Sequence, residues 1–185
     1  MNTLLNPIHL ACVADDSSPN KRLIEIKRGI ATASNGIIIA RIDLREQDAI
    51  PPEQLDILDG KFIDMEAWKD FHNADSVTFE HDIIHCSKNG SGKYFDYSTA
   101  QGEFFNIDSI IMTIADAGEE AKTFTQYNIR YLEILRKIFD TNSLIFAQSK
   151  GIAGTLVYPN NYSGMFGVIM PIVQTETQSR YYFLT

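Results

Sequence analysis

The sequence is short of several things, and each shortage removes a class of function. It has two cysteines, Cys12 and Cys86, in 185 residues. That is too few for a disulfide framework, so a reducing cytoplasm is the expected compartment. No window approaches the roughly 18 apolar residues that cross a bilayer. The opening "MNTLLNPIHLACVADDSS" has none of the basic residues that begin a signal peptide, and no membrane is expected among the partners. Cations are outnumbered, with 16 Lys and Arg against 24 Asp and Glu and a formal net charge of -8. This balance excludes a protein coated in positive charge for gripping nucleic acid, while leaving room for a local basic surface. Pro/Gly/Ser linkers and low-complexity tracts are also missing, so nothing divides the chain cleanly.

Catalytic patterns are equally scarce. "KNGSGK" (88–93) is too short and wrongly ordered for a phosphate-cradling loop and reads as a hairpin turn. "HDIIHC" places His81 and His85 at the spacing of a zinc-protease helix, with Asp82 and Cys86 beside them. The surrounding "SVTFEHDIIHCSKNG" is β-branched and ends in a Gly turn, which reads as a hairpin. On a strand, residues i and i+4 stand about 13 Å apart, too far to share one ion. A small metal-dependent enzyme using His81 and His85 is thus the minor reading, with no metal, cofactor or catalytic residue in the favoured one. Cys86 reads as a small buried apolar residue.

What is present is strand, interrupted by short helices. "RLIEIKR", "IATAS" and "IIIARIDL" are expected strands, after a helix around residues 6–14. Asn35-Gly36, between two β-branched runs, predicts a tight hairpin turn. Residues 45–60, with Pro51-Pro52 and several acids, are expected to contain no strand or helix interior. "KFI" and a helix "DMEAWKDF" follow; Asp64 can cap it, and Met65, Trp68 and Phe71 share a face. Strands "SVTFEH", "IIHCSK" and "KYFDYST" come next. "TFTQY" then predicts a strand and Asn128 caps "IRYLEILRKIF". There Tyr131, Leu132, Leu135, Ile138 and Phe139 form an apolar stripe, while Arg130, Glu133 and Lys137 face away. "SLIFAQS", "IAGTLVYP" and "GMFGVIMPIV" are the last expected strands, separated by Lys150-Gly151 and "NNYSG". The repeated β-α-β-β-β pattern predicts an α+β fold with helices on one side of antiparallel sheets. The units are 1–50, 51–121 and 122–185, within one continuous structure.

In this order the chain resembles the bacterial DNA polymerase sliding clamp of the β-subunit type. Residues 33–40, "ASNGIIIA", sit on that family's "ATDGHRLA" hairpin. "FIDMEAWKDF" matches "vpakaLkel", and "GEFFNIDSIIM" (102–112) matches "geFPdyervIP". "TFTQYNIRYLEILRKIF" and "GVIMPIV" fit the family's closing helix and "vvMPmrl" strand. The resemblance covers roughly residues 20 to 174. It departs at Ile37-Ile38, where the family has His-Arg, and at Phe105 and Met112, where it has Pro.

The resemblance implies a DNA-clamp-like fold and a noncatalytic processivity factor that closes a ring around double-stranded DNA. In the family, the hairpin and the closing "MP" strand frame a hydrophobic groove for peptide tails of polymerases and other replication proteins. Carried over, the groove residues are Gly36, Ile37, Ile39, Met170, Pro171 and Ile172. Ile37 and Ile39 are expected on one face and Ile38 on the other. The DNA-facing candidates are Lys69, Arg130, Arg136 and Lys137, whose contacts to phosphates would be nonspecific. An alternative is a clamp-fold adaptor that binds tails without encircling DNA, favoured by the acidic charge. Open sheet edges predict a homo-oligomer. The tail "TETQSRYYFLT" reads as an edge strand or a partner peptide.

Overall fold

A computed structural model describes residues 5–15, 17–47, 50–102, 104–116, 126–147, 154–160 and 164–172. The chain runs from a short 3-10 turn, Ile8–Ala11, into β1 (Leu23–Lys27), β2 (Ile30–Ser34) and β3 (Ile38–Asp43). α1 (Pro52–Leu58), β4 (Phe62–Asp64) and α2 (Met65–His72) follow. Next come β5 (Ser76–Phe79), β6 (Ile83–Lys88), β7 (Ser91–Asp96) and α3 (Ile107–Asp116). α4 (Ile129–Ile138), β8 (Leu144–Ala147), β9 (Thr155–Pro159) and β10 (Met165–Ile169) complete the described elements.

All the described strand pairs are antiparallel. Seven strands form one sheet in the order β4-β1-β2-β3-β10-β9-β8, and β5-β6-β7 form a second. The fold is therefore α+β with antiparallel sheets, as expected, but its helices do not all lie on one side. α2 and α4 pack on one face of the large sheet, and α3 packs on the other because its isoleucines bury against Ile39 and Val168. The tightest turns follow from residues that accept positive φ. Arg28-Gly29 joins β1 to β2 and Asn89-Gly90 joins β6 to β7, with both central residues of each at positive φ. That is the geometry whose twist matches paired strands.

The two faces of the large sheet differ because side chains alternate along each strand. Ile38, Ala40 and Ile42 of β3 join Ile24, Ile26, Ala31 and Ala33 in the main core, beneath α2 and α4. Gly167 of β10 faces that core as well, so closely that a Cβ there would lie 2.9 Å from Leu135 and 3.2 Å from Phe139. Asn6 ties both helices to the N-terminal turn. Trp68 Nε1 donates to its carbonyl oxygen (3.0 Å), and its Nδ2 donates to the Ile138 carbonyl oxygen (2.7 Å). On the far side of α2, Phe71 meets Phe79 and Phe95 of the small sheet edge-on.

Asp64 and Asn128 cap α2 and α4 as expected, each accepting from the backbone N–H two residues on. Three local expectations need correction, and one segment with no expected element is helical. The N-terminal helix is only the 3-10 turn at Ile8–Ala11. Segment 45–60 does contain a helix, α1, because Pro52 stands at its first position, where the missing N–H costs nothing. The β6–β7 turn is two residues, Asn89-Gly90, with Lys88 and Ser91 already paired. "GEFFNIDSIIM", read only as a match to the family's "geFPdyervIP", starts a helix. Asn106 caps it by accepting from Ser109 N at 3.1 Å, and Ile107, Ile111 and Ile114 fall on one face. Residues 123–125 of "TFTQY", the ends of "SLIFAQS" and "IAGTLVYP" with Lys150-Gly151 between them, most of "NNYSG" and the tail beyond Ile172 lie outside the described residues.

Candidate functional site

The outer face of the large sheet carries a groove. Its floor is set by register: Val168 of β10 lies directly opposite Ile39 of β3, both on the face away from α2 and α4. At one end the hairpin turn after β2 closes it. Gly36 takes φ +88, and Asn35 Oδ1 accepts from the N–H groups of Ile37 and Ile38 (2.9 and 3.0 Å). Ser34 Oγ donates to the Ile38 carbonyl oxygen (2.9 Å) and accepts from Gly36 N (3.1 Å). These bonds hold Ile37 in the turn, outside the ladder, with 40% of its surface exposed. The Ile37 carbonyl oxygen still accepts from Met170 N at 2.9 Å, joining the turn to the closing strand.

The resulting cavity of about 370 Å³ is lined by Ser34, Gly36, Ile37, Ile39, Phe105, Ile107, Ile110, Val168 and Met170. Gly36, Ile37, Ile39 and Met170 were expected in a groove, and the structure brings them together. Ile38 points into the core with no exposed surface, as alternation predicted. Pro171 and Ile172 are not in the lining. They continue past the rim, where Ile172 N donates to the Gln126 carbonyl oxygen at 2.8 Å. Sequence reasoning missed Ser34, Phe105, Ile107, Ile110 and Val168. The isoleucine spacing after Asn106 was the available signal for α3. Its place over the sheet had no local signature.

Gly154 is a second determinant that the sequence did not flag. A Cβ there would stand 2.6 Å from Val168 Cγ1, 3.0 Å from Ile114 Cδ1 and 3.2 Å from Met170 Sδ. Its bareness lets α3 and the Met170 side chain settle beside one another. Across the Phe105–Ile107 ridge lies a polar cleft holding Glu25, Lys27, Arg41 and Asp108. Arg41 Nη1 donates to Asp108 Oδ1 (2.7 Å), and its guanidinium stacks over Phe166. Burial pushes the Glu25 carboxyl above the usual carboxylate range.

The four expected DNA-facing residues sit on the opposite side of the large sheet, on α2 and α4. Arg130, Arg136 and Lys137 are exposed on α4, with no ion pair among the described residues. Lys69 on α2 is exposed but engaged by Glu66 at 3.3 Å. Of these four, Arg130, Arg136 and Lys137 on α4 therefore carry the unpaired positive charge, and α2 adds little.

The histidines do not assemble a metal centre. His85 lies in β6 and packs on Tyr94 with ring centroids 4.8 Å apart, while His81 precedes that strand. Among the described residues no group of three His, Cys, Asp or Glu side chains is placed to hold an ion. The thiols of Cys12 and Cys86 are both pushed up by burial, Cys12 to about 12, which disfavours the nucleophilic thiolate. No described helix is long and apolar enough to cross a membrane.

With this arrangement in hand, comparison with known proteins is informative at the level of fold. No protein-family model matches the chain, and no curated protein matches its sequence. Solved structures do match. A sliding clamp (DNA polymerase III subunit beta) from Bartonella birtlesii, bound to griselimycin, aligns with a TM-score of 0.64 at 15% identity. The alignment covers 92% of this chain and 63% of that one. The fold is that of the sliding clamps. A DNA polymerase sliding clamp from Pseudomonas aeruginosa gives 0.61 at 13% identity, covering 92% and 64%. The beta subunit from Thermotoga maritima gives 0.58 at 13%, covering 91% and 63%. The chain thus spans less than two thirds of the length of these clamps.

Proposed function

We propose that this sliding-clamp-fold chain is a noncatalytic replication protein that tethers a polymerase or other replication protein to double-stranded DNA. The observation that carries the reading is the apolar groove between the Asn35-Gly36-Ile37 turn and Met170, open on one face of the sheet while α4 offers cations on the other. A partner's peptide tail would sit in the groove. Arg130, Arg136 and Lys137 would meet phosphates from the α4 side, by screened contacts that carry no sequence information. Homo-oligomerisation into a closed ring belongs to this reading, as does a division of the chain into units at 1–50, 51–121 and 122–185.

The test is molar mass in solution by light scattering across a concentration series, followed by retention on nicked-circular against linear DNA. A closed oligomer that stays on circles and slides off linear DNA is the expected result. Substituting Arg130, Arg136 and Lys137 together with Gln should abolish that retention while leaving peptide binding intact. A monomer at every concentration that never distinguishes circle from line overturns ring formation. The net charge of -8 and the Lys69–Glu66 pair favour one second reading, a tail-binding adaptor that does not encircle DNA. Peptide binding without DNA retention would select it.

A further inference from the structure

The groove exposes apolar walls, with Ile37, Ile110 and Met170 among them, and the chain carries a segment suited to it. Beyond Ile172 the sequence continues "VQTETQSRYYFLT". Its composition splits sharply. Residues 174–180 are polar or charged throughout, while Tyr181, Tyr182, Phe183 and Leu184 form an uncharged, largely aromatic run. Such a run, flanked by polar residues, gains free energy only by finding an apolar surface.

We infer that residues 181–184 occupy the groove of their own chain and hold it against other peptides. This rests on the proposed reading of the groove as a peptide site. Three observations carry it. The segment starts at the groove itself, since Met170 lines the cavity and Pro171 and Ile172 lead away from its rim. The intervening residues 173–180 reach about 26–29 Å when extended, which is ample to turn back across so small a cavity. The lining matches the run in charge: among the described residues it contains Ile37, Ile39, Phe105, Ile107, Val168 and Met170, and no ionisable side chain. The occupant it fits is apolar and uncharged.

Tethering makes even weak docking effective. A linker this short gives an effective concentration on the order of 1 mM. Against an intrinsic dissociation constant of about 0.1 mM, the groove would be about nine-tenths filled, and an outside peptide would bind about tenfold more weakly. Displacement by a stronger partner peptide would then be the regulated step.

The test uses the full chain and a fluorescently labelled peptide of residues 176–185, read by anisotropy. The comparison is with a full-chain variant carrying Tyr181→Ser, Tyr182→Ser, Phe183→Ser and Leu184→Ser. A urea melt of the variant checks that it folds, and Phe183→Ser with Leu184→Ser alone is the milder replacement if it does not. The peptide should bind the variant about tenfold more tightly than the unmodified chain, and Ile37→Asp in the variant should remove that binding. Equal affinity for both chains overturns self-occupancy. If the labelled peptide binds neither chain, a second probe separates the causes. An unrelated apolar decapeptide that binds and is lost with Ile37→Asp would sink the tail assignment and leave the groove reading standing. Failure of both probes on both chains would take down the two together.

Discussion

Gly167 offers a sharp test of how the sheet and α4 are fitted together. Its backbone pairs with Ala40 across the β3–β10 ladder, and its φ is not in the left-handed region. The residue is therefore not required for conformational freedom; it is required for space. A Cβ at this position would meet the Ile39 carbonyl oxygen at 2.8 Å, Leu135 Cδ2 at 2.9 Å and Phe139 Cζ at 3.2 Å. The carbonyl is fixed by the sheet, and Leu135 and Phe139 are fully buried, so none of the three has free room to retreat. Overpacking of this kind costs about 1–3 kcal/mol. Replacing a strand glycine recovers about 0.5–1 kcal/mol of backbone entropy. With three close neighbours and no room to retreat, the cost belongs in the upper part of that range, so the net expectation for Gly167→Ala is a loss of about 1–2 kcal/mol. With a urea slope of about 2 kcal/mol per molar, the unfolding midpoint should fall by roughly 0.5–1 M. Pairing it with Leu135→Ala removes one of the clashing partners, so the double variant should be less destabilised than the sum of the singles. A Gly167→Ala protein as stable as the parent, or strictly additive costs, would refute the packing argument.

Other perturbations follow from the same packing. His9 is 7% exposed, with Nδ1 lacking a partner among the described residues, and its pKa is pushed down to about 4, first by burial and then by His72 and Lys69. The unfolded chain takes up a proton near pH 6.5 that the folded chain refuses until about pH 4. Stability should therefore fall as pH drops through that window, by on the order of 1–2 kcal/mol, and His9→Gln should flatten this part of the curve in urea melts at stepped pH. Asn128→Ala removes the cap at the start of α4 and should cost about 1 kcal/mol, whereas Asn128→Asp should retain most of it; thermal melts decide. Gly154→Ala forces Val168, Ile114 and Met170 apart. It should weaken binding of an apolar peptide about tenfold with a stability loss of about 1 kcal/mol, and unchanged affinity would show that Met170 does not need that space.

Much of this molecule was legible in one dimension because the relevant physics is local. Alternation in "IIIARID" decided which isoleucine entered the core. Asp64 and Asn128 could be read as caps because each precedes its helix by one residue, where a short polar side chain reaches a free N–H. Asn-Gly dipeptides marked two of the turns because few other residues accept positive φ. Local chemistry also misled. Pro51-Pro52 looked like a pure breaker, yet the second proline begins a helix.

Local patterning did not supply which segments share a face: the grouping of Ile37 and Ile39 with Met170 came from the family resemblance, and Val168 and α3 came only from the fold. The match of Ile39 with Val168 joins residues from opposite ends of the described chain, and it exists because β3 and β10 pair in the large sheet. The placement of α3 over that pair completes the groove, and it depends on Gly154 being small enough to admit Ile114. Turns, caps and strand faces follow from interactions that span a few residues, so they are written into the order of the amino acids. The groove has to wait for the folded chain. Its walls are long-range contacts whose energy comes from burial, and burial has no meaning until the chain has folded.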